Sequence, residues 1–237
     1  LIRTVPETGS TNADLLARIA AGERIPEGDW LVADRQTSGR GRQGHVWFDG
    51  AGNFMGSTVV HLGAHDPAAP GLSFVAALAV YETVLPHIAQ PHDLMLKWPN
   101  DVLARGAKLC GLLLEREGDS AVVGIGVNLV SAPQIEGVRT CSLADFGPAP
   151  SRDAFAADLA VSFDRELGRW RQFGLEPLLN RWRAAAHPPG TSLRVRGADG
   201  TAVSGTFDGL EPDGALRLRL EDGTIRPIHA GDVLLEG

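Results

Sequence analysis

Residues 39–44 read Gly-Arg-Gly-Arg-Gln-Gly, a G-x-G-x-x-G string, and the residues after it limit the fold more than the glycines do. In a dinucleotide-binding βαβ unit a strand runs into such glycines and a helix starts on them, so that the helix N-terminus meets a pyrophosphate. Here the chain continues His-Val-Trp-Phe-Asp-Gly-Ala-Gly-Asn, aromatic and β-branched residues and then turn formers, with no helical period. A doubly wound sheet opening on these glycines is therefore excluded. What remains is a glycine-freed loop with two arginines, whose forked donors either hold an anion or lie in solvent.

The rest of the punctuation describes an α+β chain. Thr11-Asn12-Ala13-Asp14 fits a helix start, with Leu15, Leu16, Ile19 and Ala20 at helical spacing up to Gly22. Strands are expected at Trp30 to Ala33 and Phe54 to Leu62, and Gly71 to Ala89 is apolar nearly all round, as a buried helix is. Leu94 to Trp98 reads as a strand ended by Pro99-Asn100-Asp101. Lys108 to Glu115 and Ala121 to Leu129 read as an antiparallel hairpin turned at Gly118-Asp119. Arg152 to His187 is helical, with Phe155, Leu159, Phe163 and Leu167 every four residues and a break at Gly174. The expected fold is a mixed, mostly antiparallel sheet with helices packed on it. Pro188-Pro189-Gly190 then divides the chain into residues 1–187 and 188–237. Beyond it, short strands at Ser192 to Arg196, Val203 to Leu210, Ala215 to Leu220 and Thr224 to Ile228 are separated by Asp199-Gly200, Pro212-Asp213-Gly214 and Asp222-Gly223. That is the pattern of a small SH3-like β-barrel.

A formal net charge of −7 argues against broad nucleic-acid binding, whose affinity comes from Lys and Arg neutralising phosphates. Cys110 and Cys141 are the only two cysteines, too few to staple 237 residues, and the first residues lack the basic-then-apolar order of a signal peptide. The longest apolar run, Phe74 to Tyr81, is far short of the ~20 residues that span a bilayer. A cytoplasmic protein without membrane partners is expected. Within this acidic chain, Arg35, Arg40, Arg42 and His45 stand between Asp34 and Asp49 with no acidic residue among them. Lys97 ends an apolar strand beside Trp98 and before Pro99, so it is stiffly placed; its ammonium either serves a site or snorkels to water. Gly124 and Gly126 alternate with apolar residues inside a strand, which marks close approach of a ligand or another backbone, or tight sheet–helix packing. No phosphate loop, nucleophile elbow or Cys/His metal pattern occurs, so no metal site of the protein's own is expected.

Taken in order, five blocks together resemble the biotin protein ligases: Ser10-Thr11-Asn12; Gln36 with the Gly39 to Gly44 loop; Lys97-Trp98-Pro99-Asn100-Asp101; Lys108 with Gly111-Leu112-Leu113-Leu114-Glu115; and Gly124-Ile125-Gly126-Val127-Asn128. The tail, with Asp222-Gly223-Thr224 and His229-Ala230-Gly231-Asp232, resembles that family's C-terminal domain. The resemblance covers essentially the whole chain. It implies a class II synthetase-like fold, in a monofunctional form without an N-terminal DNA-binding domain. It implies a two-step reaction in which biotin and MgATP give biotinyl-5'-AMP and pyrophosphate, and a lysine of a biotin carboxyl carrier domain then takes the biotinyl group. Lys97 would bridge the biotin carboxylate and the α-phosphate, with Arg40 clamping the same region. Ser10, Thr11, Asn12, Gln36, Gly39 and the main chain at Gly111, Leu112 and Leu113 would hold biotin. Gly41, Arg42, Trp47, Asn100, Lys108 and Asn128 would lie on the ATP side. Mg2+ would arrive on ATP, DNA would not be a partner, and the chain would be a monomer or weak homodimer. His45 stands where the family usually has an arginine, so nucleotide affinity is expected to be weaker or to depend on pH. A lipoate ligase of the same fold and a catalytically silent biotin-binding module are the alternatives. The Gly/Arg loop and Lys-Trp-Pro-Asn-Asp favour biotin over lipoate, and a pure binder has no need of Arg40, Arg42 and Lys97.

Overall fold

The computed structural model describes residues 1–197 and 200–235. The chain runs β1 (Ile2–Val5), α1 (Thr11–Ala20), β2 (Trp30–Ala33), β3 (Phe54–His61), α2 (Leu72–Val84), β4 (Leu94–Lys97), β5 (Asp101–Ala104), β6 (Ala107–Glu117), β7 (Ser120–Val127), α3 (Arg152–Phe173) and α4 (Leu175–Ala185). The tail adds β8 (Ser192–Arg196), β9 (Ala202–Leu210), β10 (Leu216–Arg219), β11 (Ile225–Ile228) and β12 (Asp232–Leu235). Among the described residues the strands form a seven-stranded sheet, ordered β1-β2-β3-β7-β6-β5-β4, and a five-stranded one, ordered β11-β10-β9-β8-β12. β1 and β2 are parallel, and the other strand pairs described are antiparallel.

Local chemistry sets most boundaries. α1 is capped one residue earlier than expected: the Ser10 hydroxyl accepts from the Ala13 amide, and Thr11 is already helical. Gly118, at φ 56°, turns the expected hairpin so that Glu117 faces Ser120. Gly174, at φ 79°, separates α3 from α4 where the break was expected. α2 ends at Val84, short of Ala89, because Pro86 stands in the following 3-10 turn. Three strands were not expected, the first of them β1 (Ile2–Val5). Asp101, expected to help end a strand, opens β5, and Asp232 opens β12. Asp199, expected in a turn with Gly200, lies outside the described residues.

Ala69–His87 is longer than the apolar run from Phe74 to Tyr81 and could cross a membrane by length and composition, but 61% of that window is buried inside the protein. α2 is the core helix, sharing one hydrophobic cluster with α3, α4 and one face of the large sheet. On β7 this face carries Val123, Ile125 and Val127, whereas Val122 joins Leu15, Leu31 and Val59 in a smaller cluster under α1. The two-residue period therefore puts Gly124 and Gly126 on the α1 face. Their register partners lie there too: Ser57 and Met55 on β3, Leu113 and Gly111 on β6. Asp101 faces Gly111, and Lys97 faces Asp101, so one row crosses the sheet from Met55 to Lys97. The small sheet joins the main cluster through Leu193, Val195, Phe207 and Val233. The Trp98 indole also donates to the Gly214 carbonyl at 3.0 Å.

Candidate active site

A cavity of about 770 Å³ opens on the α1 face of the large sheet, walled by the start of α1, the Gly/Arg loop, a segment around Ile135 and β12. Every residue expected at the site lines it except Gly39. Gly39 lies behind the wall, where a Cβ would come within 3.0 Å of the Trp47 carbonyl oxygen and 3.3 Å of Gln36 Nε2.

At one end a polar network is buried. The Thr11 amide and hydroxyl both donate to Gln36 Oε1, at 2.7 and 3.1 Å, and the Thr11 and Ser57 hydroxyls are 2.7 Å apart. Ser57 donates to Asn12 Oδ1 at 2.6 Å, and Asn12 Nδ2 donates to Glu115 Oε2 at 2.9 Å. The Gln36 main-chain N–H donates to Asp49 Oδ1 at 2.9 Å. With Ser10 as the cap, the Thr11 hydroxyl is released to this network, so the cap and pocket roles fall to adjacent residues. A rigid set of donors and acceptors of this kind orients a small polar head group. Ser57 and Glu115 were not expected at the site. Glu115 was legible in principle, since it continues Gly111 and Leu113 at spacing two, whereas Ser57 is reached only through the register with Gly124.

The middle of the cavity has glycines for a floor. A Cβ on Gly124 would lie 2.3 Å from Asn12 Oδ1, and one on Gly126 2.2 Å from Trp47 Cε2. A Cβ on Gly111 would also meet the Trp47 ring, at 2.7 Å. What approaches the glycine strand is thus a pair of side chains, Asn12 and Trp47.

The other end is cationic. Lys97 Nζ lies 2.7 Å from Asp101 Oδ2 and donates to the Val233 carbonyl at 2.8 Å, and Lys108 Nζ lies 2.8 Å from Asp101 Oδ1. Lys97 therefore does not snorkel to water; its side chain is 14% exposed, against 28% for Lys108. Burial pushes the Asp101 carboxyl pKa up, but the two ammonium groups outweigh this and hold it below the ordinary carboxylate range. Arg42 Nη1 donates to Asn100 Oδ1 at 3.2 Å, and Asn100 Nδ2 to the Leu112 carbonyl at 2.6 Å. Arg40 Nη2 lies 3.3 Å from Glu115 Oε1. Lys108 Nζ stands 6.0 Å from the centroid of the Trp47 ring. His45 is 73% exposed, its Nε2 lying 3.8 Å from Asp232 Oδ2. Asn128 is buried and donates to the Cys141 carbonyl at 3.1 Å, while its Oδ1 has no partner among the described residues.

Other chemistries find no support in these side chains. Burial pushes both thiols up, Cys141 to about 11, so neither is a ready nucleophile. Among the described residues no three His, Cys, Asp or Glu gather as a metal site. A groove that leads from a neutral polar head-group site to several positioned cations is suited to bringing two anions together.

Residues 10–129 match the Biotin/lipoate A/B protein ligase family, and residues 193–235 match the Biotin protein ligase C terminal domain. The chain is 38% identical to biotin–[acetyl-CoA-carboxylase] ligase of Mycobacterium tuberculosis, over 97% of this chain and 87% of that protein. It is likewise 38% identical to the ligase of the same name from Paracoccus denitrificans, over 97% of this chain and 98% of that one. Among solved structures, biotin protein ligase from Aquifex aeolicus in complex with biotin and ATP has the same fold, with a TM-score of 0.86 at 24% identity over 99% of each chain. The first family match takes in the polar network, the Gly/Arg loop, both lysines and the glycine strand, and the second takes in most of the small sheet that contributes Val233. The chain therefore belongs to the biotin/lipoate A/B protein ligase family.

Proposed function

We propose that the chain is an ATP-dependent biotin ligase. It joins biotin to ATP as biotinyl-5'-AMP and passes the biotinyl group to a lysine of a biotin carboxyl carrier domain. The observation that carries this reading is the continuity of one cavity from the Thr11, Gln36, Ser57 and Asn12 network to Lys97, Lys108, Arg40 and Arg42. The names of the relatives agree with it: the two ligases are named for acetyl-CoA carboxylase, and the Aquifex protein holds biotin and ATP.

In the first step a biotin carboxylate oxygen attacks the α-phosphorus, the bond to the bridging β-phosphate oxygen breaks, and pyrophosphate leaves. Two anions must meet, so fixed cations are the catalytic device. In this reading Lys97 bridges the carboxylate and the α-phosphate, Arg40 clamps the same region, and Lys108 and Arg42 take phosphate charge. Asp101 holds the two ammonium groups in place without cancelling both. Ser10, Thr11, Asn12 and Gln36, with the main chain at Gly111, Leu112 and Leu113, hold the ureido ring. Gly41, Trp47, Asn100 and Asn128 face the nucleotide, and the unpaired Asn128 oxygen suits a donor on the base. In the second step the neutral carrier lysine attacks the acyl carbon, AMP departs and the amine proton passes to solvent.

Mg2+ enters this proposal as an ion carried by the triphosphate. The chain's own acids do not make a cage for it, since Asp101 and Glu115 are both engaged by cations. We place the protein in the cytoplasm as a monomer or weak homodimer, without DNA or membrane partners. The net charge of −7 and the two unpaired, buried cysteines support this placement. Biotin-dependent exchange of labelled pyrophosphate into ATP tests the reaction. Exchange with lipoate alone would replace biotin as the substrate, and tight biotin binding without exchange would make the chain a silent binder.

A further inference from the structure

We propose that Glu115 is a positioning residue that couples the occupied biotin pocket to Arg40, and through Arg40 to capture of the nucleotide. The proposal deepens the ligase reading and rests on it.

Glu115 sits near the end of β6 on the groove face, opposite Val122 in register. Its carboxylate has two partners from different parts of the site. Oε2 accepts from Asn12 Nδ2 at 2.9 Å, and Asn12 is in turn fixed by the Ser57 hydroxyl at 2.6 Å, within the head-group network. The same carboxylate meets Arg40 Nη2, at 3.3 Å from Oε1 and 3.4 Å from Oε2. One side chain on a rigid strand thus joins the pocket amide to the loop guanidinium.

Arg40 needs such an anchor. The main chain about it is held by the Gly41 amide on the His45 carbonyl at 2.7 Å and the Trp47 amide on the Gly39 carbonyl at 2.9 Å, but its side chain is 46% exposed, so Glu115 is what fixes where the guanidinium points. Both contacts to Glu115 use Nη2, which leaves Nη1 and Nε for a phosphate. A half-exposed ion pair of this kind adds little to folding. Its effect should therefore appear in how the site works.

A ligand that contacts Asn12 or Ser57 restricts the Asn12 amide. That amide orients the carboxylate, and the carboxylate orients Arg40 toward the cationic end. Coupling of this kind is reciprocal, so nucleotide held by Arg40 also favours the occupied pocket.

Glu115→Gln tests this, because it keeps the shape and an acceptor for Asn12 while removing the charge that holds Arg40. The KM for ATP in pyrophosphate exchange should rise about 10-fold, within the usual range of site-to-site coupling. Biotin affinity measured without ATP and the urea midpoint should stay near wild type, while the KM for biotin at saturating ATP should rise with that for ATP, because the coupling is reciprocal. In an Arg40→Ala background the same substitution should have no further effect. An equal loss in both backgrounds, or a loss confined to the biotin KM, would overturn the proposal. A second readout does not need turnover. Tryptic cleavage after Arg40 and Arg42 in the full chain should be slowed by biotin in the wild type and not in Glu115→Gln. Slowed cleavage without any exchange in the wild type would remove the ligase reading and leave the coupling standing. Exchange in the wild type with identical cleavage in both proteins would remove the coupling alone.

Discussion

Asp101 decides how the reacting end of the site is charged. It is a buried carboxylate between Lys97 and Lys108, and removing one partner of a buried ionic group leaves the others uncompensated. Asp101→Asn should cost about 3–5 kcal/mol in urea unfolding, the range for a broken buried pair. The pH dependence has a definite sign. The folded pKa lies below the unfolded value of about 3.9, so the stabilisation is present above that pH and is lost as pH falls through the folded value. Below about pH 4 the wild type should therefore lose stability more steeply than Asp101→Asn. Lys97→Ala should slow pyrophosphate exchange at least ~100-fold, the scale for one charge-stabilising donor. Exchange at near the wild-type rate would move the role to Lys108, the more exposed of the two. The lysine of Lys-Trp-Pro-Asn-Asp was legible as a stiffly placed cation because its constraints are local: an aromatic neighbour and a proline. Its pairing with Asp101 was not, since it needs the chain to turn back at once into β5, and Lys108 arrives from yet another strand.

The glycine strand shows at the scale of one element what a pattern tells and what it leaves open. Glycines alternating with Val123, Ile125 and Val127 announced a face where a side chain does not fit, and the structure gives the reason. Asn12 lies against Gly124 and Trp47 against Gly126, closer than any Cβ would allow. Which groups would come close was not legible, because Asn12 sits 112 residues away on another element and Trp47 comes from an irregular loop. Gly124→Ala must push Asn12 off Ser57 and Glu115, and a displacement of about 1 Å at a reacting site can cost about 100-fold. We expect a 10- to 100-fold higher biotin KM in exchange kinetics, on the order set by such misplacement. An unchanged biotin KM would show that Asn12 is not needed there. By the same geometry Gly126→Ala lifts the Trp47 indole, which an altered tryptophan emission spectrum would report. Elements fixed by local signals were readable in the Gly118 hairpin and the Gly174 break, whereas the stop that Pro86 puts on α2 was missed and the helix expected as far as Ala89. β5 and β12, four residues each and opened by aspartate, form strands only because their neighbours are already in place.

Across the whole molecule, the small sheet is part of the site: the Val233 carbonyl takes a hydrogen bond from Lys97, and β12 walls the cavity. Turn residues announced a strand-rich tail, but no local pattern says which strand will lie against which lysine. The junction between the sheets carries a titratable group, His187, packed edge-on against Phe207 with ring centroids 4.3 Å apart and planes 71° apart. Burial, and then the charge of Lys97, lower its pKa to about 4, against a smaller lift from the Pro188 main chain. The unfolded chain binds this proton from about pH 6.5 downward. The stabilisation from keeping the ring neutral is therefore complete above about pH 6.5, and it declines as pH falls until both states are protonated near pH 4. The total is on the order of 3 kcal/mol. His187→Phe keeps a ring against Phe207 and cannot titrate, so its urea midpoint should vary less between pH 6.5 and 4 than that of the wild type. Because this junction also holds Val233 against Lys97, wild-type pyrophosphate exchange should fall over the same acid range, and the variant should hold its rate further down. Parallel midpoint curves for the two proteins would show that His187 titrates freely and that the junction owes nothing to its neutrality.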